Sequence, residues 1–195
     1  GFLSYDEPRG EYAGILDVKI GPIGVQAIGL LSTKNPQGWS LLLVIAAQIP
    51  TIQLAWGFTL TAIGGLIGVQ HTTDTDALAQ GLATGSLDNF LFPQNPVGNA
   101  PSIIAGLRIV FPFKAGGFII GPMLELGWST PSLVTVRLGL LLEASQIVIV
   151  GQAIVQVPPL VSKELAILRL QIAFLGYVQF DPLKIGFAGV LRDSR

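Results

Sequence analysis

Between Ser132 and Glu143, Val134, Val136, Leu138, Leu140 and Leu142 alternate with Leu133, Thr135, Arg137, Gly139 and Leu141. A period of two sends successive side chains to opposite faces, so this stretch predicts a strand with one wholly apolar face. The same alternation recurs through most of the chain. Phe2–Tyr5 and Tyr12–Ile20 read as a hairpin turned through Asp6, Pro8 and Gly10, residues that suit fixed or unusual backbone angles. Ile23–Leu30 reads as the next strand, and Leu41–Ile49 and Ile52–Thr61 as two more joined at Pro50. Gly64-Gly65 and Gly68 break this pattern and read as a turn or close backbone packing. Strands resume over Phe118–Gly127, where Gly121-Pro122 predicts a bulge or an edge because proline lacks an N–H. Gln146–Val157 follows, closed by Pro158-Pro159. Then Ala166, Leu168, Leu170, Ile172 and Phe174 make a second uninterrupted apolar face, and the tail is a hairpin turned at Asp181-Pro182.

Between Asp74 and Pro112 the period changes to about 3.6, which predicts two short amphipathic helices inserted in a β chain. Asp74 is placed to cap the first, in which Ala77, Leu78 and Leu82 share a face and Gly85 is the stop. Pro101 opens the second, with Ile103, Ile104, Leu107 and Val110 as its stripe. Both helices are expected to lie across the apolar side of the sheet and to cover only part of it.

The predicted fold is therefore mainly β: a curved antiparallel meander, barrel-like or trough-like, in one domain spanning residues 1–195 with a helical insertion at 74–112. Composition sharpens this. Half of the residues are hydrophobic and 12% are charged, against about a quarter in an ordinary soluble domain. From Asn35 to Thr73 there is no Asp, Glu, Lys or Arg. A membrane helix over Leu41–Val69 is rejected, because Pro50 would interrupt it and Gln48, Gln53, Thr59 and Thr61 would need partners in lipid. The net charge of −1 offers no basic surface, so nucleic acid is not an expected partner. There is no cysteine, hence no disulfide or thiolate chemistry. No signal-peptide pattern stands in the first twelve residues.

The tail repeats the beginning. Tyr5-Asp6 corresponds to Phe180-Asp181 and Tyr12–Leu16 to Phe187–Leu191, both at an offset of 175 residues. Fixed-offset similarity on both sides of a turn is the mark of a tandem repeat, with convergent hairpins as the plainer alternative. The runs AWGFTLTAIGGLIGV (55–69), LDNFLFPQNPVGNAPSIIAGLRIVFP (87–112) and GPMLELGWSTPSLV (121–134) resemble a large uncharacterised bacterial family, a domain of unknown function within very long β-rich proteins. The resemblance implies that the chain is a fragment or unit of a larger protein, and it implies no activity.

No catalytic constellation is read. His71 near Asp74 and Asp76 is too little for a metal cage and is expected to be a solvated loop histidine. Glu125 and Glu143 are expected as separate, exposed strand carboxylates, and Arg108, Arg137, Arg169 and Lys184 as scattered charges. No enzyme activity, cofactor or metal is expected. The first functional expectation is a structural module of a secreted or cell-surface assembly, its apolar faces sealed by neighbouring modules of the same chain or by homo-oligomerisation. The alternative is a binder of lipid or another hydrophobic ligand, in a trough lined by Trp56, Phe58, Val136, Leu138, Leu140, Leu168 and Leu170. A third is an outer-membrane-type β-barrel, against which stand the few tryptophans (Trp39, Trp56 and Trp128) and the helical insertion.

Overall fold

The computed structural model describes residues 1–85, 91–159 and 165–192. Ten strands form one sheet in which each pairs antiparallel with its neighbour in sequence: β1 (Phe2–Asp6), β2 (Glu11–Ile20), β3 (Ile23–Asn35), β4 (Gly38–Gln53), β5 (Phe58–His71), β6 (Phe113–Trp128), β7 (Val134–Leu142), β8 (Gln146–Val157), β9 (Leu168–Phe180) and β10 (Leu183–Arg192). β1 and β10 do not pair with each other, so the meander is open and not a closed barrel. Helices α1 (Thr75–Thr84) and α2 (Ala100–Val110) stand between β5 and β6, inside the expected insertion.

Both helix ends follow from local chemistry. Asp74 accepts from the backbone N–H groups of Asp76 (3.0 Å) and Ala77 (2.9 Å), which would otherwise lack partners in the first turn of α1. Gly85 ends α1 at φ 84°, a left-handed position that suits a residue without Cβ. Leu78 and Leu82 of α1 and Ile103, Ile104, Leu107 and Val110 of α2 are buried. Their partners in the core cluster are Ala13, Ile15, Ile28, Leu30, Leu42, Val44, Leu66, Ile119, Met123, Leu141, Val148, Val150, Ala173 and Leu175, which belong to one face of the sheet. Gly139 lies on that face under Leu91, whose Cδ2 would come within 2.9 Å of an added Cβ.

This corrects the expected placement of the helices. They lie on the face that carries Arg137, Gln152 and Gln171, not on the face of Val136, Leu138 and Leu140. Two further expectations are revised. The strand pattern does not end at Gly64, because β5 runs through Gly64, Gly65 and Gly68, and a Cβ at Gly64 would meet the Ile45 carbonyl at 2.7 Å. The glycines there allow close strand approach rather than a turn. Pro50 lies within β4, at a register shift between Gln48 and Ile52, and the turn falls instead at Ala55–Gly57. Gly121-Pro122 sits in a central strand with no register shift, though the β6–β7 ladder has no pair at either position. The missing N–H of Pro122 costs a ladder bond without moving the register.

The insertion is tied to both ends of the sheet. On the β2 side, the Arg108 guanidinium of α2 donates through Nε to Glu11 Oε1 at 2.7 Å, with Nη2 on the same oxygen. On the other side α1 packs on β9 and β10, and Arg192 Nη2 reaches the Gly81 carbonyl at 3.5 Å. The last residue of β5, His71, is buried rather than solvated, its Nδ1–H donating to the Phe111 carbonyl at the end of α2 at 2.7 Å. Burial pushes the imidazole below its ordinary value of 6.5, and hydrogen bonds to Phe111 and Pro112 and the charge of Glu11 pull it partly back.

Two outcomes follow from these contacts. Replacing Asp74 by Ala leaves two first-turn donors without that acceptor and is expected to cost about 1 kcal/mol, read as a lower midpoint in thermal or urea unfolding. An unchanged midpoint would remove Asp74 from the account of why α1 starts where it does. For His71, the unfolded chain binds a proton near pH 6.5 while the folded chain resists it, so stability falls as pH drops below about 6.5 until the folded value is passed. Melting temperature is expected to be lower at pH 5.5 than at pH 7.5, and His71→Gln is expected to remove that part of the drop.

Candidate functional site

The sheet face opposite the helices is the feature that needs explaining. Directly paired residues of antiparallel strands share a face, so the register reads the surface row by row. One row runs Tyr12, Leu31, Leu41, Val69, Phe118. Another runs Ile67, Ile120, Leu142, Ile147, Val178, Ile185. A third runs Phe58, Trp128, Val134, Val155, Leu170. Among the described residues, every in-register pair on this face from β1 to β10 joins apolar side chains or glycine. At these paired positions the Tyr5 and Tyr12 hydroxyls and the Trp128 indole N–H are the only polar side-chain atoms.

The polar side chains of the strands take the other face. Arg137 Nε meets Glu125 Oε2 at 2.7 Å, Thr61 Oγ1 donates to the other Glu125 oxygen at 2.8 Å, and Arg137 Nη1 lies 3.4 Å from Gln152 Oε1. Arg169 Nη1 donates to Gln156 Oε1 at 2.6 Å. Glu143 accepts from Thr72 Oγ1 (2.6 Å), the Thr73 N–H (2.7 Å) and Gln146 Nε2 (3.1 Å). Glu125 and Glu143 are therefore partnered and part-buried, which revises the reading of both as exposed carboxylates, and Arg108, Arg137 and Arg169 are paired rather than scattered. A polar pocket of about 370 Å³ opens at the helical end between Arg9, Glu11, Lys34, His71 and Arg108. Its charges are engaged internally: Arg9 with Asp6, Lys34 with the Glu7 carbonyl, Arg108 with Glu11. Among the described residues no group of three His, Asp or Glu side chains is placed to hold a metal.

The residues singled out in the sequence fall as follows. Phe58, Val136, Leu138, Leu140, Leu168 and Leu170 all lie on the bare face, on β5, β7 and β9. Trp56 lies outside the strands, in the 3-10 turn Ala55–Gly57 at φ 56°, 90% exposed, and its carbonyl accepts from Trp128 Nε1 at 3.3 Å. The helices occupy the opposite side of the sheet, so these six form part of an outer surface. They are also a small part of it. Ile45, Ile63, Ile67, Ile120, Ile147, Ile149 and Ile172 are exposed on the same face, and no local signal marked them beyond the alternation itself.

What the sequence reading missed is the aromatic boundary. At the end that carries the helices, Tyr5, Tyr12, Trp39, Phe118 and Phe180 are all exposed, and Tyr5 and Tyr12 pack with ring centroids 4.6 Å apart. At the opposite end stand Trp56, Phe58 and Trp128, also exposed. Phe118 and Trp128 are ten residues apart on β6, about 34 Å along the strand. His71 lies beyond the first group, on the helical side. Two shallow dents interrupt the face between the two ends. One, of about 400 Å³, lies over Gly14 and Gly29, and one, of about 430 Å³, lies over Gly65 and Pro122 among Leu43, Ile45, Ile67, Ile120 and Leu142.

No helix among the described residues is long and apolar enough to cross a membrane, which leaves strands untouched by that test. No curated protein and no solved structure matches the chain. Over its whole length, residues 1–195, the chain matches a family of unknown function, DUF6603, and it belongs to that family.

Proposed function

We propose that this domain is a non-enzymatic wall segment of a membrane-inserted β-structure, its bare face against lipid acyl chains and its helical face turned to a plugged, polar interior. The observation that carries this reading is the ten-strand face whose in-register pairs, among the described residues, hold no charged side chain, bounded at both ends by exposed aromatic residues. Size supports it. Nine strand spacings of about 4.8 Å and strands about 30 Å long give a face of roughly 1,300 Å². The largest apolar patch on a soluble monomer is about 300–600 Å². Spacing supports it as well, since 34 Å of strand tilted by about 40° rises roughly 26 Å, close to the apolar band of a transmembrane β-barrel. The opposite face carries the Glu125–Arg137–Gln152 cluster and two helices, the composition of a barrel interior closed by a helical plug.

The sheet is open, and lipid does not tolerate unpaired strand edges, so the wall must be completed by further β-structure. This joins the membrane reading to the expectation of a module within a larger assembly. The lipid-carrier reading draws on the dent around Gly65 and Pro122, where a single acyl chain could lie. The two separate by extraction: near-stoichiometric lipid on a water-soluble monomer favours the carrier.

The test uses vesicles of a neutral phospholipid. The chain is expected to float with them and resist carbonate extraction, and its tryptophans are expected to be quenched by lipids brominated near the headgroup. Ile149→Lys puts an ammonium at the middle of the face, opposite Leu140, and is expected to lower vesicle partitioning by about 30- to 1,000-fold, equivalent to about 2–4 kcal/mol at a bilayer midplane. Phe118→Lys, at the boundary, is expected to cost about fivefold or less. Equal partitioning of Ile149→Lys and the unaltered chain would end the lipid-facing reading.

A further inference from the structure

The repeat seen in the sequence takes a specific structural form. Residues 176–192 correspond to residues 1–17, so β10 stands for β2 and the second half of β9 for β1. Side-chain placement agrees with that equivalence. Phe2 and Tyr177 both pack on the helical-face core, as do Ile15 and Val190, while Tyr5 and Phe180, and Tyr12 and Phe187, lie on the bare face. The first hairpin has a strand beyond it and the last does not. β3 lies along β2, whereas the outer edge of β10 has no strand partner among the described residues.

The two hairpins differ in one respect, their register. Tyr5 pairs with Tyr12 across the four-residue turn 7–10, but Phe180 pairs with Leu183, and Phe187 pairs with Gly176, four residues away from the equivalent position. A shift of four preserves every face, because the side-chain period is two. The wide turn of the first hairpin is held by β3: Thr33 donates to the Gly10 carbonyl through both N–H and Oγ1 at 2.9 Å, Ser32 Oγ reaches the Arg9 carbonyl at 3.4 Å, and Lys34 Nζ bonds the Glu7 carbonyl at 2.6 Å. β9–β10 lacks that strand and closes instead with the two-residue turn Asp181-Pro182.

We propose that β9–β10 is the opening hairpin of a following copy of this repeat, and that the free edge of β10 receives the third strand of that copy, a segment equivalent to β3. The β8–β9 ladder is then the joint between successive repeats, and the sheet continues through it without an edge. When the third strand arrives, its last residues pull the 181–184 segment open and slide β10 by four residues, so that Phe187 comes opposite Phe180 as Tyr12 is opposite Tyr5. The occupant is fixed by continuity: β2 already pairs with β3 from Glu11 to Ile20, and the equivalent edge of β10 is apolar on the same face, with Ile185, Phe187 and Leu191 exposed.

The chain has no cysteine, so introduced pairs report register without background. Phe180→Cys/Phe187→Cys is placed in two chains: residues 1–195 alone, and the same chain continued after Arg195 by a second copy of residues 21–195. In the observed register these positions are about 13 Å apart along the strands, too far for a disulfide; directly opposed they come within about 5 Å. The expected result is a free pair in the single chain and an oxidised pair in the extended one. Gly176→Cys/Phe187→Cys is expected to oxidise in the single chain and to lose that pairing on extension. Should the extended chain fail to fold, a synthetic peptide of residues 23–35 added to the single Phe180→Cys/Phe187→Cys chain is expected to raise its oxidised fraction. A pair that oxidises equally with and without the third strand overturns the proposal, as does one that stays reduced in the folded extended chain and with the peptide. Vesicle partitioning plays no part in this readout, so its outcome is separate from that of the lipid-facing reading.

Discussion

The antiparallel register of ten strands is the constraint from which the rest descends. Because side chains alternate along each paired run, one choice of register sends Glu11, Glu125, Arg137, Gln152 and Gln171 to one side and leaves the paired positions of the other with aliphatic and aromatic groups or glycine. A slip of one residue in β2, β6, β7 or β9 would carry a charge (Asp17, Glu125, Arg137 or Arg169) onto the apolar surface. The ladder is therefore specified from both sides, by the burial of the helical face and by the exclusion of polar groups from the bare one.

Packing of the helical insertion is the second consequence. The helical face is apolar at its centre, where α1 and α2 seat Leu78, Leu82, Ile103, Ile104 and Leu107, and polar elsewhere, where Arg108 of α2 meets Glu11 of β2 and Arg137 of β7 meets Glu125 of β6. Charges on this side are tolerable because the Arg108–Glu11 and Arg137–Glu125 pairs are hydrogen-bonded in a part-buried setting. The insertion also holds the sheet at its two ends, through Arg108 to Glu11 and through α1 on β9 and β10. What remains is a layered object with a dense side rich in internal hydrogen bonds and a side whose paired positions are apolar. Burying roughly 1,300 Å² of apolar area is worth on the order of 30 kcal/mol, far beyond the net stability of a typical domain of about 5–15 kcal/mol. Covering that face is thus the dominant energetic question for the molecule, and lipid plus further β-strands is the answer proposed above.

Membership of a family of unknown function supplies no activity to set against this, and the paired or buried state of His71, Glu125 and Glu143 offers none either. The titratable groups that caught attention in the sequence serve architecture: His71 ties the end of β5 to the end of α2, Glu143 holds the Thr72–Thr73 exit from β5, and Glu125 neutralises Arg137.

Much of the fold was legible from residue order alone, because its signals are local. Alternation marked the strands, Asp74 and Gly85 bounded the first helix, and Val134–Leu142 and Leu168–Phe174 announced their apolar faces before any pairing was known. The glycines of β5 and Pro50 misled for the opposite reason, since their meaning depends on the strand beside them: Gly64 is required by the Ile45 carbonyl, which is nineteen positions away in the chain. Only the tertiary structure decided which side the helices take, and that tryptophans, tyrosines and phenylalanines from separate strands gather at two boundaries. Periodicity determines that a strand has an apolar face, through backbone geometry each residue carries by itself; what that face meets is set by register and long-range packing, which no single stretch of chain encodes.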